Sequence, residues 1–219
     1  MIDQTLEGRR AFIVENTRVQ APPHAPELTL HLADEITPIW TLTEEALEDL
    51  GLAPPFWAFA WAGGQALARY ILDNPTSVAG KTVVDFATGS GIVAIAAMKA
   101  GAKSVLANDI DSFCQAAVSL NGEVNGVEIA FTDTNLLDGP PPTCDVLLAG
   151  DICYEKPMAE AVMAWMRQGR AAGSAVLIGD PGRSYFRKDD LIKLAEYQVV
   201  TTREREDFTI KRTCVWTLP

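Results

Sequence analysis

Residues 83–97 read VVDFATGSGIVAIAA, an apolar run that breaks into a loop of small residues and then resumes with helical character. The first part has the length of a buried strand and the last part suits a buried helix, so the stretch predicts a strand, a glycine loop and a helix in succession. Such loops usually cradle phosphate, because bare backbone can approach a ligand closely and the helix N-terminus presents unpaired N–H groups. Asp85 stands at the entrance of this loop, and a carboxylate there repels an anion.

Outward from this stretch the pattern repeats. From Lys81 onward, KTVVDF, SVLAND, VEIAFT, CDVLLAG and SAVLIGD are short apolar runs of strand length, separated by helical stretches such as IVAIAAMKAG, SFCQAAVSLNGEVNG and MAEAVMAWMRQG. Buried parallel strands with helices on both faces are the physical reading, an α/β fold. Near the end, LIKLAEY reads as helical, and YQVVTTRE and FTIKRTCVWTL read as two strands separated by the short RED. So close a connection cannot cross over to a parallel neighbour, which makes the last two strands antiparallel. A mostly parallel sheet closed by one antiparallel strand resembles the Rossmann-like sheet of the seven-stranded methyltransferases.

Residues 1–80 have a different texture and read as an N-terminal extension on the substrate and cofactor side, with 81–219 as the cofactor-binding core. LEGRRAFIVEN suits a short helix, VQAPPHAP a proline-rich linker and LTLHLAD a strand, while TEEALEDLG starts a helix at Thr43 and stops it at Gly51. GGQALARYILDN carries apolar residues at helical spacing and is expected to pack on the core C-terminal to it.

Composition narrows the classes of function. The chain has 18 Lys+Arg against 29 Asp+Glu, a formal net charge of −11, which disfavours nucleic acid and anionic membrane and suits a basic partner. The acidic cluster Asp34, Glu35, Glu44, Glu45, Glu48 and Asp49 could receive such a surface, although charge runs are usually solvated faces. Cys114, Cys144, Cys153 and Cys214 lack CxxC spacing and lie far from His24 and His31, so neither a disulfide framework nor a metal site is expected. With no charged-then-apolar leader and no long uncharged apolar stretch, the expected setting is the cytoplasm.

Gly89 and Gly91 with Ala94 form a GxGxxA pattern, and Asp109 follows Gly89 by 20 residues at the end of the second core strand. That spacing is compatible with a dinucleotide site in which the acid binds ribose hydroxyls. Asp85 decides between ligands. It would repel a pyrophosphate, whereas S-adenosylmethionine carries an ammonium and a sulfonium and would gain roughly 1–4 kcal/mol from a carboxylate at about 4 Å. An NAD(P)-dependent oxidoreductase is the rival from another class, but no His or Tyr-Lys constellation for hydride transfer accompanies the loop.

The resemblance extends beyond the loop. Asp85-Phe-Ala-Thr-Gly89-Ser-Gly91 resembles the DxGxGxG motif of class I methyltransferases, with Ala87 at the usual first glycine, and GDICYE at 150–155 resembles the D-x-x-Y motif of methyltransferase family 16. PPFWAFAWAGGQALARYILDN, VLANDID and LIGDPGR are similar to segments of the electron transfer flavoprotein beta-subunit lysine methyltransferases. The resemblance implies an S-adenosylmethionine-dependent, bacterial-type protein-lysine methyltransferase, a monomer acting on that beta subunit. A ribosomal-protein lysine methyltransferase is the rival within the same chemistry. It further implies that Asp85, Gly89 and Gly91 line the methionine end of the cofactor and Asp109 takes the ribose, with Trp61 beside the cofactor and Gly64, Ala87, Ile110 and Asp151 among its further contacts. Asp133 and Asn135 both qualify for the adenine, Asn135 marginally the better. Trp57 reads rather as a core aromatic, and Gly63-Gly64 equally as a plain helix entry.

Asp151 and Tyr154 are the residues the resemblance places at the reacting amine. An ordinary lysine is neutral about once in 2,500 at pH 7, a deficit of roughly 4.6 kcal/mol. Asp151 is a poor base, since it would stabilise the charged amine, and its better role is to capture and aim it. Tyr154 can wall the lysine channel and hydrogen-bond through its hydroxyl. Asp180 and Arg183, in GDPGR, reach the same rim, where turn formation explains them about as well.

Overall fold

The computed structural model describes residues 3–34, 39, 52–200 and 210–219. The expected helix over 43–51, most of the acidic cluster and the connection between the last two strands lie outside the described residues; Asp34 of that cluster is ion-paired with Arg18 at 3.6 Å. The helices are α1 (Leu6–Asn16), α2 (Ala62–Asp73), α3 (Ile92–Lys99), α4 (Ser112–Asn125) and α5 (Lys156–Ala171). The strands are β1 (Arg18–Gln20), β2 (Leu30–Leu32), β3 (Thr82–Phe86), β4 (Ser104–Asn108), β5 (Ala130–Thr132), β6 (Val146–Gly150), β7 (Ala175–Asp180), β8 (Ile192–Val200) and β9 (Ile210–Thr217).

Seven strands form one sheet in the order β5-β4-β3-β6-β7-β9-β8. β3 is parallel to both β4 and β6, and β9 runs antiparallel to its two neighbours, β7 and β8. The chain therefore winds outward from β3 in one direction and then from β6 in the other. The switch point between β3 and β6 opens a crevice at their C-terminal ends, where open α/β sheets place ligands.

Each strand divides its side chains between two faces, as its alternation requires. Val83, Val105, Val146, Leu148 and Leu177 pack beneath α2 and α3, whereas Val84, Phe86, Leu147, Val176 and Ile178 pack beneath Val162, Trp165 and Met166 of α5. α3 is buried from Ile92 to Ala97, which accounts for its lack of a polar face. α1 and the short β1–β2 sheet lie against α4, where Arg10 reaches Ser119 and Glu123 and the His31 N–H donates to Asn121 Oδ1 at 2.7 Å.

Two readings of the sequence are corrected. LIKLAEY is not helical: β8 begins at Ile192, because pairing along β9 through eight residues outweighs the helix preference of Leu, Lys, Ala and Glu. The linker beginning at VQAPPHAP is also shorter than expected, since Arg18–Gln20 pairs antiparallel with Leu30–Leu32.

Ala87, just past β3, has φ +53, a left-handed conformation that favours glycine. Ala87→Gly is expected to raise stability by about 0.5–1 kcal/mol, relief of the Cβ conflict outweighing the added freedom of the unfolded chain. Thermal unfolding checks this; a lower melting temperature contradicts it.

Candidate active site

A cavity of about 590 Å³ opens at the switch point. Its walls come from the β3 loop (Asp85, Ala87, Gly89), the end of β4 (Asp109, Ile110), Asn135, and the end of β6 (Gly150, Asp151, Tyr154), with Trp61 and Gly64 at the entry to α2 and Arg183 after β7. Gly91 and Asp133 do not line it. Gly91, at φ +81, caps α3 with its N–H bonded to the Thr88 carbonyl at 2.9 Å, and Asp133 is exposed. Trp57 is core, 1% exposed and stacked on Phe113 with centroids 5.7 Å apart.

Asp85 is 1% exposed, yet its described hydrogen-bond partners are neutral: the Thr88 hydroxyl donates to Oδ2 at 2.5 Å and the Ala94 N–H at 3.1 Å. Burial without a cation pushes its pKa up to about 7, against the pull of those two bonds. A positive group entering the cavity would favour its charged form. Asp109 fixes the loop from the other side, its Oδ2 accepting the Gly89 N–H at 3.0 Å and its Oδ1 the Asp111 N–H at 3.1 Å. Asp111 in turn caps α4 by accepting the Phe113 N–H.

Asp151 follows β6 in a left-handed conformation, φ +58, which turns its carboxylate into the cavity wall. Its Oδ2 accepts the N–H of Gly63, and its Oδ1 accepts from Arg183 Nε at 2.9 Å and Nη2 at 2.8 Å. Gly63 can donate only because α2 lies backbone to backbone on the strand ends. A Cβ on Gly63 would come within 2.3 Å of the Gly179 carbonyl oxygen, and one on Gly179 within 2.1 Å of that of Gly63. The glycine pair at the start of α2 is therefore more than a plain helix entry.

Aromatic rings form the mouth. Phe56 lies 5.8 Å from Trp61 and 5.6 Å from Tyr154, and Trp61 Nε1 donates to the Phe56 carbonyl at 3.0 Å. Burial, then Glu155 and Asp109, raise the Tyr154 pKa, so its hydroxyl keeps its proton and remains a donor. Thr88 is a site residue marked in the sequence only as a hydroxyl three residues after the motif aspartate. Gly63 acts through its backbone N–H, which leaves no mark on residue type, whereas Phe56 contributes both its ring and its carbonyl.

Asp180, at the end of β7, is also pushed up to about 7, by burial first and then by Asp151. Between about pH 4 and 7 the folded chain holds protons on Asp85 and Asp180 that the unfolded chain releases, so their contribution to stability falls as pH rises through that window. The ligand-free protein is expected to lose melting temperature between about pH 5.5 and about pH 8, and Asp85→Asn to reduce the difference. An unchanged slope in Asp85→Asn counts against the assignment.

A family model described as ribosomal protein L11 methyltransferase (PrmA) matches residues 66–168. The chain is 36% identical over 213 residues to the electron transfer flavoprotein beta subunit lysine methyltransferase of Xenopus laevis, covering 94% of this chain and 85% of that protein. It is 36% identical over 214 residues to the human protein of the same name, covering 94% and 80%. Among solved structures, magnesium protoporphyrin IX methyltransferase from Synechocystis with bound S-adenosylmethionine superposes with a TM-score of 0.51 over 71% of this chain and 78% of that one. At 16% identity, that likeness speaks for the fold alone.

Proposed function

The chain belongs to the family of electron transfer flavoprotein beta subunit lysine methyltransferases, and from that premise we propose that it transfers a methyl group from S-adenosylmethionine to lysine on that beta subunit. The observation that carries the choice of cofactor is Asp85, desolvated at the base of the cavity with neutral partners and suited to a cationic ligand. A pyrophosphate would instead face Asp85 and Asp109 with like charge. Titration with S-adenosylhomocysteine and with NADH separates the two: binding of NADH alone overturns the choice of cofactor.

In this reading Asp85, Ala87 and Gly89 line the methionine end, with Gly91 setting the helix behind them. Asp109 takes the ribose, Ile110 and Asn135 flank the adenine, and Trp61 and Gly64 close the near side. Asn135 lines the cavity and Asp133 does not, which favours Asn135 for the adenine. When bound, S-adenosylmethionine supplies a methyl group on a sulfonium centre, activated without help from the protein. The chain's own task is to position the amine, keep water out and let a proton leave. Asp151 accepts an N–H of the substrate lysine and aims its nitrogen, while Tyr154 and Phe56 flank the lysine's aliphatic stem. Asp151 is already bound to Arg183 and Gly63, so it is held in a single orientation when the substrate arrives.

The setting we propose is a reducing one, the bacterial cytoplasm, with the protein acting as a monomer. Its four cysteines are unpaired, two of them buried, and a monomer should show a solution mass near 23.7 kDa. The match of the L11 methyltransferase model over residues 66–168 favours a second reading, methylation of a ribosomal protein. Incubation with labelled cofactor and each purified protein distinguishes them. Labelling of the beta subunit is expected; labelling of ribosomal protein alone overturns the first reading.

A further inference from the structure

Among the described residues lining the cavity there are four carboxylates, Asp85, Asp109, Asp111 and Asp151, and one cation, Arg183. That cation is bound to the carboxylate assigned to the substrate amine. Both contacts fall on Asp151 Oδ1, and the guanidinium carbon lies 5.8 Å from the centre of the Trp61 ring. The arginine is fixed from below as well. Asp180 Oδ1 accepts the N–H of Gly182 at 2.6 Å and of Arg183 at 2.8 Å, which holds the Asp180–Arg183 turn in place.

An isolated Asp151 would make the lysine's proton harder to remove, because a nearby anion stabilises the ammonium. Pairing with Arg183 offsets that charge. A guanidinium is permanently charged, so it also disfavours a second cation beside it. We propose that Arg183 sets the protonation state of the substrate: fixed on Asp151 and Trp61, its charge makes the bound ε-ammonium give a proton to water. The N–H bond breaks, water becomes hydronium, and the electron pair left on nitrogen is the one that forms the new bond to carbon. This rests on the lysine-transfer reading above.

The other groups facing this pair do not undo the effect. Burial pushes Cys153, beside Asp151, up to about 12, so it is a neutral thiol, and Tyr154 is a neutral phenol. Asp180 is pushed up to about 7 and has one buried oxygen without a hydrogen-bond partner, so it is partly protonated near neutrality. Glu155 and Lys156 are exposed, and Cys214 lies across the β7–β9 ladder from Asp180 as a thiol whose pKa is raised by burial. Asp85 and Asp109, assigned to the cofactor, and Asp111, the cap of α4, stand on the β3 and β4 side of the cavity.

The test begins with wild-type methylation of the beta subunit; its absence defeats the lysine-transfer reading itself. With that activity in hand, kcat at saturating beta subunit, which reports ionisation in the bound complex, is measured against pH for wild type, Arg183→Gln and Arg183→Lys. The acid limb of Arg183→Gln should move up by about one pH unit, a roughly tenfold loss near neutrality that recovers at high pH, while Arg183→Lys keeps the wild-type limb. A second readout needs no turnover. Calorimetry of beta-subunit binding to protein saturated with S-adenosylhomocysteine, in buffers of different ionisation heat, should show a proton released by wild type and a smaller release by Arg183→Gln. An unshifted limb, an equal loss at every pH in both variants, or no proton release by wild type overturns the proposal.

Discussion

Asp151→Ala is expected to lower kcat/KM for methyl transfer by at least about a thousandfold, some 4 kcal/mol, while affinity for S-adenosylhomocysteine stays within a few-fold. The variant removes the acceptor proposed to aim the amine and also breaks two other contacts. Arg183 loses its carboxylate, and the Gly63 N–H loses its acceptor. Arg183 then keeps its charge without the Asp151 carboxylate at the place the lysine must enter. Asp151→Asn tells these losses apart: it keeps an oxygen for Gly63 but no charge for Arg183, so it should fold like wild type and still fail in transfer. Steady-state kinetics on the beta subunit, with calorimetry for the cofactor, checks both variants. An active Asp151→Ala would remove this residue from the mechanism.

Gly179→Ala should be the most damaging single methyl group in the fold, costing about 3 kcal/mol or more. Its Cβ would lie 2.1 Å from the carbonyl oxygen and 2.9 Å from the carbonyl carbon of Gly63. Neither side can yield cheaply, because Gly179 is held in register between Gly150 and Val215, and Gly63 is anchored in the first turn of α2. A melting temperature lower by about 6–12 °C is expected for a chain of this size. Any protein that remains folded should have lost activity, since moving α2 withdraws the Gly63 N–H from Asp151. Gly139→Ala is the control: φ there is −145 and nothing lies within 4 Å of the added Cβ, so thermal denaturation should barely change.

The parts of the fold legible in the sequence are those that local chemistry encodes. β3, β4, β6 and β7 are buried on both faces and so appear as short apolar runs, and the left-handed loop between β3 and α3 appears as its glycines. β8 is different: half exposed at the rim, it takes its conformation from its partner strand and carries residues that suit a helix. VEIAFT contributes only Ala130–Thr132, since its first residues precede the pairing with β4. In the cavity, Asp85, Asp109 and Asp151 stand out by type and position. The contact between Asp151 and Arg183 joins residues 32 apart, and the meeting of Gly63 with Gly179 is a matter of missing atoms, so neither could be read from spacing.

The two rims of the sheet are unequal. β5 ends one side with three residues, too short a border to recruit another strand, whereas β8 ends the other with nine, paired among the described residues only to β9. Ile192, Leu194 and Val200 are exposed along that long border, where the irregularity at Lys193–Ala195 and the Lys193–Glu196 ion pair interrupt it. When molecules are crowded or heated, they should stick together first along this border, so that Leu194→Lys delays precipitation without altering catalysis.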